Sequence, residues 1–462
     1  MKQNLDGYLN KLKNKTVAVL GIGVSNTPLI YLLLGAGISV VACDKKNRDM
    51  IGPIADELEQ NGVELRLGAD YLEDLECDVI FRTPGMRPDL PQLKRAEASG
   101  ARLTSEMEVF FEICPCQIIG VTGSDGKTTT TTIISEILKA AGLTVHLGGN
   151  IGEPLLSRAS KMRPEDVAVV ELSSFQLMTM SISPNISVVT NITPNHLDTH
   201  KSMEEYIDAK RNIYLHQKDG DRLVVNACNE ITAGFHPNEG VELIQFSLKE
   251  PVEKGIYFDN GTIYIKNEAG PQAIINREQI KLPGIHNVDN YMAAFAATID
   301  MVPPDFWIKV AREFAGVEHR IELVRELDGV RYYNDSIASS PTRTIAGLRS
   351  FDRKVILIAG GYDKKIPFDT LGREINKRAS CLILCGDTAR KIWISVEGDK
   401  NYSGLKIYEC NNMTQCVAVA RRESKPGDIV ILSPACASFD RYPNFVERGR
   451  AFKTAVMNLS QE

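Results

Sequence analysis

Short apolar runs rich in β-branched residues recur along the chain, each followed by a turn and then by a longer stretch with helical spacing. Residues 16–20 (TVAVL) lead into a Gly-rich turn and a helix-like stretch at 27–34. Residues 38–43 (ISVVAC) end at Asp44, and residues 79–81 run into Thr83-Pro84-Gly85. The pattern restarts at 118–121 and continues through 167–170 and 186–190. Such alternation predicts βαβ units and mostly parallel sheets. Between 223 and 280 the texture shifts to short alternating segments, where 255–258 and 261–266 flank Asp259-Asn260-Gly261. Asn-Gly between β-rich runs predicts a hairpin. Residues 282–299 read as a turn and an Ala-rich helix, and the α/β texture returns at 355–359, 381–385 and 429–432. The expectation is an α/β fold in three domains: a Rossmann-like domain over 1–116, a central P-loop ATPase-like domain over 117–317 and a Rossmann-like C-terminal domain over 318–462.

Length supports more than one core, since 462 residues exceed what a single hydrophobic core usually serves. Hydrophobic residues at 43% and charged residues at 24% suit a soluble globular enzyme. A net charge of -6 argues against sequence-independent nucleic-acid binding, which needs a basic surface. No run approaches the roughly 18 apolar residues of a membrane span, and the first 15 residues lack the apolar block of a secretory signal. The ten cysteines are scattered, and Cys114-x-Cys116 alone is no zinc pattern. The expected compartment is the cytoplasm.

The strongest local signal is the segment from Gly120 to Thr129, GVTGSDGKTT. It follows an apolar strand and opens a Thr- and Ile-rich helix, the setting a phosphate-binding loop requires. Glycines let the backbone N–H groups turn toward phosphate oxygens, and the helix N-terminus adds a positive dipole end. Gly123, Ser124, Asp125, Gly126 and Thr129 form the cradle, Lys127 reaches the β- and γ-phosphates, and Thr128 offers its hydroxyl to Mg²⁺. The strict G-x-x-x-x-G-K-[ST] pattern would need glycine where Val121 stands, so the loop is a variant. By itself it separates neither a ligase from a kinase nor either from a GTPase; the guanine-reading N-K-x-D motif is missing from the sequence.

Other residues are open to two readings. Gly21-Ile22-Gly23 with Ser25, Asn26 and, 23 residues after Gly21, Asp44 resembles a dinucleotide fingerprint without its third glycine. It serves a diphosphate or is a ligand-free βα turn; Thr83-Pro84-Gly85 lines the same cleft in the first case. Glu171, just past a buried strand, is a Mg²⁺ ligand or a capping carboxylate. His196 lies beyond the end of the next strand, beside the phosphate loop, and is a ligand or a structural histidine. Lys210, read alone, is a solvated helix lysine.

Together these blocks resemble the Mur ligases. The match adds Gly149-Asn150-Ile151-Gly152, residues 171–177, 191–198, 206–214 and 282–290, His319-Arg320, Asn334-Asp335-Ser336, residues 360–364 and residues 432–445. The block LSPACASFD over 432–440 resembles the branch that adds D-glutamate. The resemblance implies ATP-dependent joining of D-glutamate to UDP-N-acetylmuramoyl-L-alanine through an acyl phosphate. That is a step of peptidoglycan precursor synthesis, tied to cell-wall biogenesis, cell shape and cell division. It implies a cytoplasmic monomer with small-molecule substrates, no nucleic acid and no membrane. Lys127 contacts ATP phosphates; Thr128 and Glu171 hold one Mg²⁺; His196 and a carbamylated Lys210 hold a second. Asn150 contacts the sugar-linked substrate, Asn287 and Asn290 face adenine, and Arg320 and Asp335 contact ribose or phosphate. Ser339, Lys364, Ser438, Phe439 and Phe445 hold D-glutamate. Ile337 stands where a Lys often follows Asn-Asp-Ser, and Ser339 replaces a Thr near the glutamate.

Overall fold

A computed structural model describes residues 4–23, 25–195, 199–364 and 366–460. Among them, one compact body comprises the chain up to 277 together with 289–310, and a second comprises 278–288 and the chain from 311 onward. Among the described residues, no helix is long and apolar enough to cross a membrane.

The first body holds two sheets. The smaller has five parallel strands in the order Glu64–Leu67, Val40–Asp44, Val17–Leu20, Val79–Arg82, Arg102–Thr104. The chain leaves Val17–Leu20 on one side and returns on the other, so the strand order reverses beside that strand. In open parallel sheets the crevice at such a reversal, beyond the strand C-termini, is where ligands bind. The turn after Leu20 and the Thr83-Pro84-Gly85 segment both lie there: Thr83 N–H donates to the Leu20 carbonyl at 3.0 Å.

The second sheet has nine strands. Val145–Gly149, Val167–Glu171, Gln117–Thr122, Ile186–Val189, Arg222–Asn226, Glu242–Ser247 and Gly255–Asp259 run parallel, and Thr262–Asn267 and Gly270–Asn276 complete it antiparallel. The central strands are mostly apolar and, past the exposed Gln117, buried, as sheets covered on both faces require. The Asn-Gly expectation holds: Asp259 pairs with Thr262 across Asn260 (φ 44°) and Gly261 (φ 81°), a two-residue turn with both residues left-handed.

One apolar cluster joins the two sheets. It runs from Leu5 and Leu9, through Phe110, Phe111, Cys114 and Cys116, to Leu155, Leu156, Ala168 and Val170. The expected boundary near residue 116 therefore falls inside a continuous core, and contact there comes from the helices flanking it. Glu106 reinforces the seam, its Oε1 accepting the Leu156 N–H at 2.7 Å.

The second body is built on six strands in the order Glu322–Leu327, Val330–Asn334, Ile429–Leu432, Val355–Ala359, Ala379–Leu384, Lys406–Glu409; only the first pair is antiparallel. Alternate residues feed two cores. Val355, Leu357 and Ala359 join one cluster, while Ile356 and Ile358 join the other on the opposite face.

Candidate active site

The phosphate-loop segment lies where the second sheet's order reverses. Strand Gln117–Thr122 sits between Val167–Glu171 and Ile186–Val189, and its loop opens the 14-residue helix Lys127–Ala140. Both loop glycines are required by space as well as by backbone angle. A Cβ on Gly123 (φ 149°) would sit 1.9 Å from Thr190 Oγ1, and one on Gly126 (φ 79°) 2.3 Å from Asn290 Oδ1. The loop is belted to the end of the neighbouring strand. Ser124 N–H donates to the Asn191 carbonyl at 2.8 Å and Asp125 N–H to Asn191 Oδ1 at 3.0 Å. Thr190 Oγ1 donates to the Asp125 carbonyl at 2.6 Å, and Ser124 Oγ meets Tyr206 OH at 2.9 Å.

Two lysines converge on this loop. Lys127 Nζ donates to the Gly123 and Ser124 carbonyls, both at 2.9 Å. Lys210 Nζ donates to the same Gly123 carbonyl at 2.8 Å and to Thr122 Oγ1 at 3.2 Å, lying 4.8 Å from the Tyr206 ring centre. Read alone, Lys210 is a solvated helix lysine; in the fold it is 1% exposed. Burial holds its pKa well below the usual lysine range, and the positive charge of Lys127 pushes the same way against Glu171 and Asp125.

Glu171, at the end of its strand, is 1% exposed. Its Oε1 accepts from Asn150 Nδ2 at 2.9 Å, while Oε2 is buried with no hydrogen-bond partner among the described residues. A buried carboxylate oxygen without a donor is costly, and a hard cation satisfies it. Thr128, in the first turn of the helix, is also buried. This donor set fits a divalent ion held with a nucleotide phosphate.

In the first sheet, Asp44 accepts the Ile22 and Lys46 N–H groups at 2.8 and 2.9 Å, and Asn26 Nδ2 donates to the Leu20 and Gly21 carbonyls at 2.9 and 3.1 Å. These two side chains shape the Gly-rich turn; Ser25 sits at the head of helix Asn26–Gly35 without capping it.

The second body gathers its own group. Asp335, 4% exposed, accepts from Ser433 Oγ at 2.7 Å, and burial pushes its pKa up to about 7 against the pull of Arg320. Ser336 Oγ donates to the Phe445 carbonyl at 2.8 Å, and the Phe445 ring stands edge-on to His319. Ser438 is buried, whereas Lys364 and Phe439 are exposed, Phe439 meeting Tyr362 edge-to-face.

Comparison with known proteins fits this arrangement. Residues 121–298 match the Mur ligase middle domain and residues 319–436 the Mur ligase glutamate ligase domain. Over 99% of its length the chain is 50% identical to the whole of the UDP-N-acetylmuramoylalanine--D-glutamate ligases of Ruminiclostridium cellulolyticum, Acetivibrio thermocellus and Clostridium kluyveri. The chain belongs to the Mur ligase family. Members are ATP-dependent ligases. The Mur ligase fold extends to solved structures of lower identity. The UDP-N-acetylmuramate-alanine ligase of Thermotoga maritima aligns with a TM-score of 0.59 at 18% identity, over 96% of this chain and 99% of that one. A pseudomurein peptide ligase of Methanothermus fervidus aligns with a TM-score of 0.54 at 19% identity, over 97% and 100%.

For this Mur ligase, the fold gathers Lys127, Thr128, Glu171, Asn150, Asn290 and Lys210 around one loop. Asn290 Oδ1 accepts from Thr130 Oγ1 at 3.3 Å. Asn287, on the same helix, donates to the Pro283 carbonyl at 2.6 Å. His196 lies outside the described residues. Sequence reasoning passed over several charged residues that shape the sites. Arg448, 3% exposed, donates to Ser336 Oγ, Ser336 O and Ala437 O at 3.1, 2.9 and 2.9 Å, tying the Ser336 and Ser438 segments together. Its position was readable, because it falls on the buried stripe of helix Phe445–Met457 with Gly449, Phe452 and Val456. His200, Arg82 and Arg87 are also engaged, with Ser174, Phe175 and Glu205 respectively, and no spacing in the sequence marks them.

Proposed function

We propose that the chain joins D-glutamate to UDP-N-acetylmuramoyl-L-alanine, cleaving ATP to ADP and phosphate, as a cytoplasmic monomer. The observation that carries the reading is the convergence of Lys127, Lys210 and the half-satisfied Glu171 on one phosphate loop. The full-length identity to relatives bearing that activity in their names supports the choice of substrates. A carboxylate is a poor acyl donor because oxide leaves badly. The alanyl carboxylate oxygen therefore attacks the γ-phosphorus of ATP, releasing ADP and forming an acyl phosphate. The neutral amine of D-glutamate attacks the acyl carbon, and the tetrahedral intermediate expels phosphate and loses a proton.

The residues divide these tasks. Lys127 and the N–H groups of the loop and helix N-terminus stabilise charge on the phosphoryl oxygens. Thr128 and Glu171 hold one Mg²⁺. His196 and carbamylated Lys210 hold a second; Mg²⁺ supplies neutralisation of phosphoryl charge. Burial lowers the proton affinity of Lys210, and its free amine adds to the carbon of CO₂ and gives up one proton to solvent. The product carbamate offers anionic oxygens where an ammonium offers none. Ser25, Asn26, Asp44 and the Thr83-Pro84-Gly85 segment face the uridine diphosphate, and Asn150 the sugar-linked chain. Asn287 and Asn290 face adenine, and Arg320 and Asp335 the ribose or phosphates. Ser339, Lys364, Ser438, Phe439 and Phe445 hold D-glutamate, with Ile337 leaving any cationic contact there to Lys364. The three sheets serve sugar nucleotide, ATP and amino acid in that order.

The test is to incubate the protein with ATP, Mg²⁺, UDP-N-acetylmuramoyl-L-alanine and single amino acids, and to weigh the products by mass spectrometry. A D-glutamate adduct alone is expected; an adduct with a different amino acid instead, or ATP cleavage with no adduct, overturns the assignment. ¹³C-bicarbonate gives a carbamate carbonyl resonance in the wild type that Lys210→Arg lacks. Its absence from the active wild type removes the carbamate.

A further inference from the structure

Two arginines that the mechanism leaves unused hold the segment after strand Val79–Arg82 against the second sheet. Arg82 is 1% exposed. Its NH1 donates to the Pro84 and Met86 carbonyls at 3.2 and 3.0 Å, and its NH2 to the Phe175 carbonyl at 3.2 Å and Thr179 Oγ1 at 2.7 Å. Arg87 forks onto Glu205, NH2 to Oε1 at 2.7 Å and NH1 to Oε2 at 3.0 Å, while NH1 also donates to the Thr199 carbonyl at 2.8 Å. Asp89 steadies the same guanidinium from the other side, accepting from Nε at 2.8 Å and NH2 at 3.0 Å.

The places these arginines reach are specific. Phe175, in the short helix Ser174–Leu177, and Thr179, just past it, lie four and eight residues after Glu171. Glu205 is in the first turn of helix Met203–Arg211, which carries Lys210, and its Oε2 also accepts the Lys201 N–H at 2.7 Å. The Arg87 fork holds the Glu205 carboxyl down to about 2, below the usual glutamate range. His200 closes the circuit. It meets Ser174 Oγ at 2.9 Å, stacks on Phe175 with ring centres 5.1 Å apart, and stands edge-on to Tyr206, whose hydroxyl meets Ser124 of the phosphate loop.

Stability alone gives little reason for this arrangement. Burying the Arg82 guanidinium on carbonyls lowers its pKa by desolvation, a cost that the negative charge of Glu108 offsets only in part. What a planar guanidinium fork supplies is fixed geometry. We infer that Arg82 and Arg87 are positioning residues for acyl transfer, holding the sugar-nucleotide segment 83–89 in register with Glu171 and with the helix bearing Lys210. The inference rests on the proposed reaction, because the segment and the two residues would then face the two ends of one substrate pair. It assigns neither arginine a contact with substrate.

Arg87 and Glu205 are the residues to test, being partly exposed and replaceable without opening the core. Arg87→Ala, Glu205→Ala and the double variant are compared with wild type for kcat, for KM of each substrate and for ADP released per ligated product. Each single variant is expected to lose about ten-fold in kcat, since small misplacement of reacting groups is expensive. The double variant is expected to lose about the same, not the product of the two, because the pair acts as one unit. KM for ATP stays within about two-fold, and ADP per product rises above one, because a misregistered acyl phosphate is hydrolysed by water to carboxylate and phosphate before the amine reaches it. A ratio held at one, with activity falling only as the folded fraction falls, overturns the positioning role in favour of a structural one. A rise in sugar-nucleotide KM with kcat unchanged overturns it in favour of direct binding. Wild type that makes no D-glutamate adduct defeats the proposed reaction; active wild type with fully coupled, fully active variants defeats only the clamp.

Discussion

At the scale of single residues, the site is defined by groups the fold holds in states they would not choose in water. Glu171 Oε2 is buried without a donor among the described residues, which costs stability in the absence of a cation. Glu171→Gln removes that charge at nearly constant volume and keeps an oxygen for Asn150. It is expected to melt at the same temperature as wild type or higher, measured without nucleotide, while turnover falls at least about 100-fold; a large loss of stability with activity retained contradicts a metal-binding role. Lys210 carries the opposite burden. Unfolded, it keeps its proton up to about pH 10.4; folded, burial and Lys127 make it release that proton earlier. Across the interval between the two pKa values the unfolded state binds more protons, so this group makes stability rise with pH. Lys210→Met is therefore expected to be more stable than wild type at about pH 6 in CO₂-free buffer, with the advantage shrinking by about pH 9, as read by urea unfolding. None of this could be read from the sequence around Lys210. Its burial depends on Thr122 and Gly123, some 87 residues away along the chain. A helix with acidic Glu204, Glu205 and Asp208 around it looks solvated by local pattern.

At the scale of elements, legibility followed the range of the interactions. The Asn260-Gly261 turn and the loop glycines are visible because their left-handed backbones are demanded within a few residues. The same chemistry at Asp328-Gly329, with φ of 49° and 74°, closes the antiparallel pair Glu322–Leu327 and Val330–Asn334; it went unread because the flanking runs carry charges that blur the alternation. The contact between the first two sheets was invisible, since it joins helix Glu106–Ile113 to residues about 50 positions on. Glu106 makes this seam sensitive to pH. Burial raises its carboxyl to about 7, against the pull of the Leu156 and Leu155 N–H groups. An unfolded glutamate titrates near about 4.3, so between those values the folded state binds more protons and stability falls as pH rises, by at most about 1.4 kcal/mol per unit. Glu106→Gln keeps an acceptor for Leu156. It is expected to flatten the decline of stability from about pH 4.5 to about pH 7 in denaturant titrations, leaving wild type the more pH-dependent of the two. An unchanged slope means the carboxylate is ionised in the folded protein.

At the scale of the whole molecule, the repeated α/β texture identified parallel sheets correctly but did not show how many cores they would form. Two sheets share one continuous apolar cluster, while the clusters on either face of the third draw on residues 321–459 alone. Cooperative unfolding follows shared cores, because a core is lost as a unit once water enters it. Calorimetry of the ligand-free chain is therefore expected to resolve more than one transition, with the third sheet melting as its own unit. Leu357, fully buried at the centre of that sheet, discriminates. Leu357→Ala deletes core volume and is expected to cost about 2–5 kcal/mol, lowering one transition by several degrees and leaving the other in place. The corresponding change in the first body, Val170→Ala at the joined cluster, is expected to move the remaining transition, which includes the phosphate loop and the five-stranded sheet together. If both substitutions shift a single common transition, then the third sheet is thermodynamically coupled to the rest despite its separate cores.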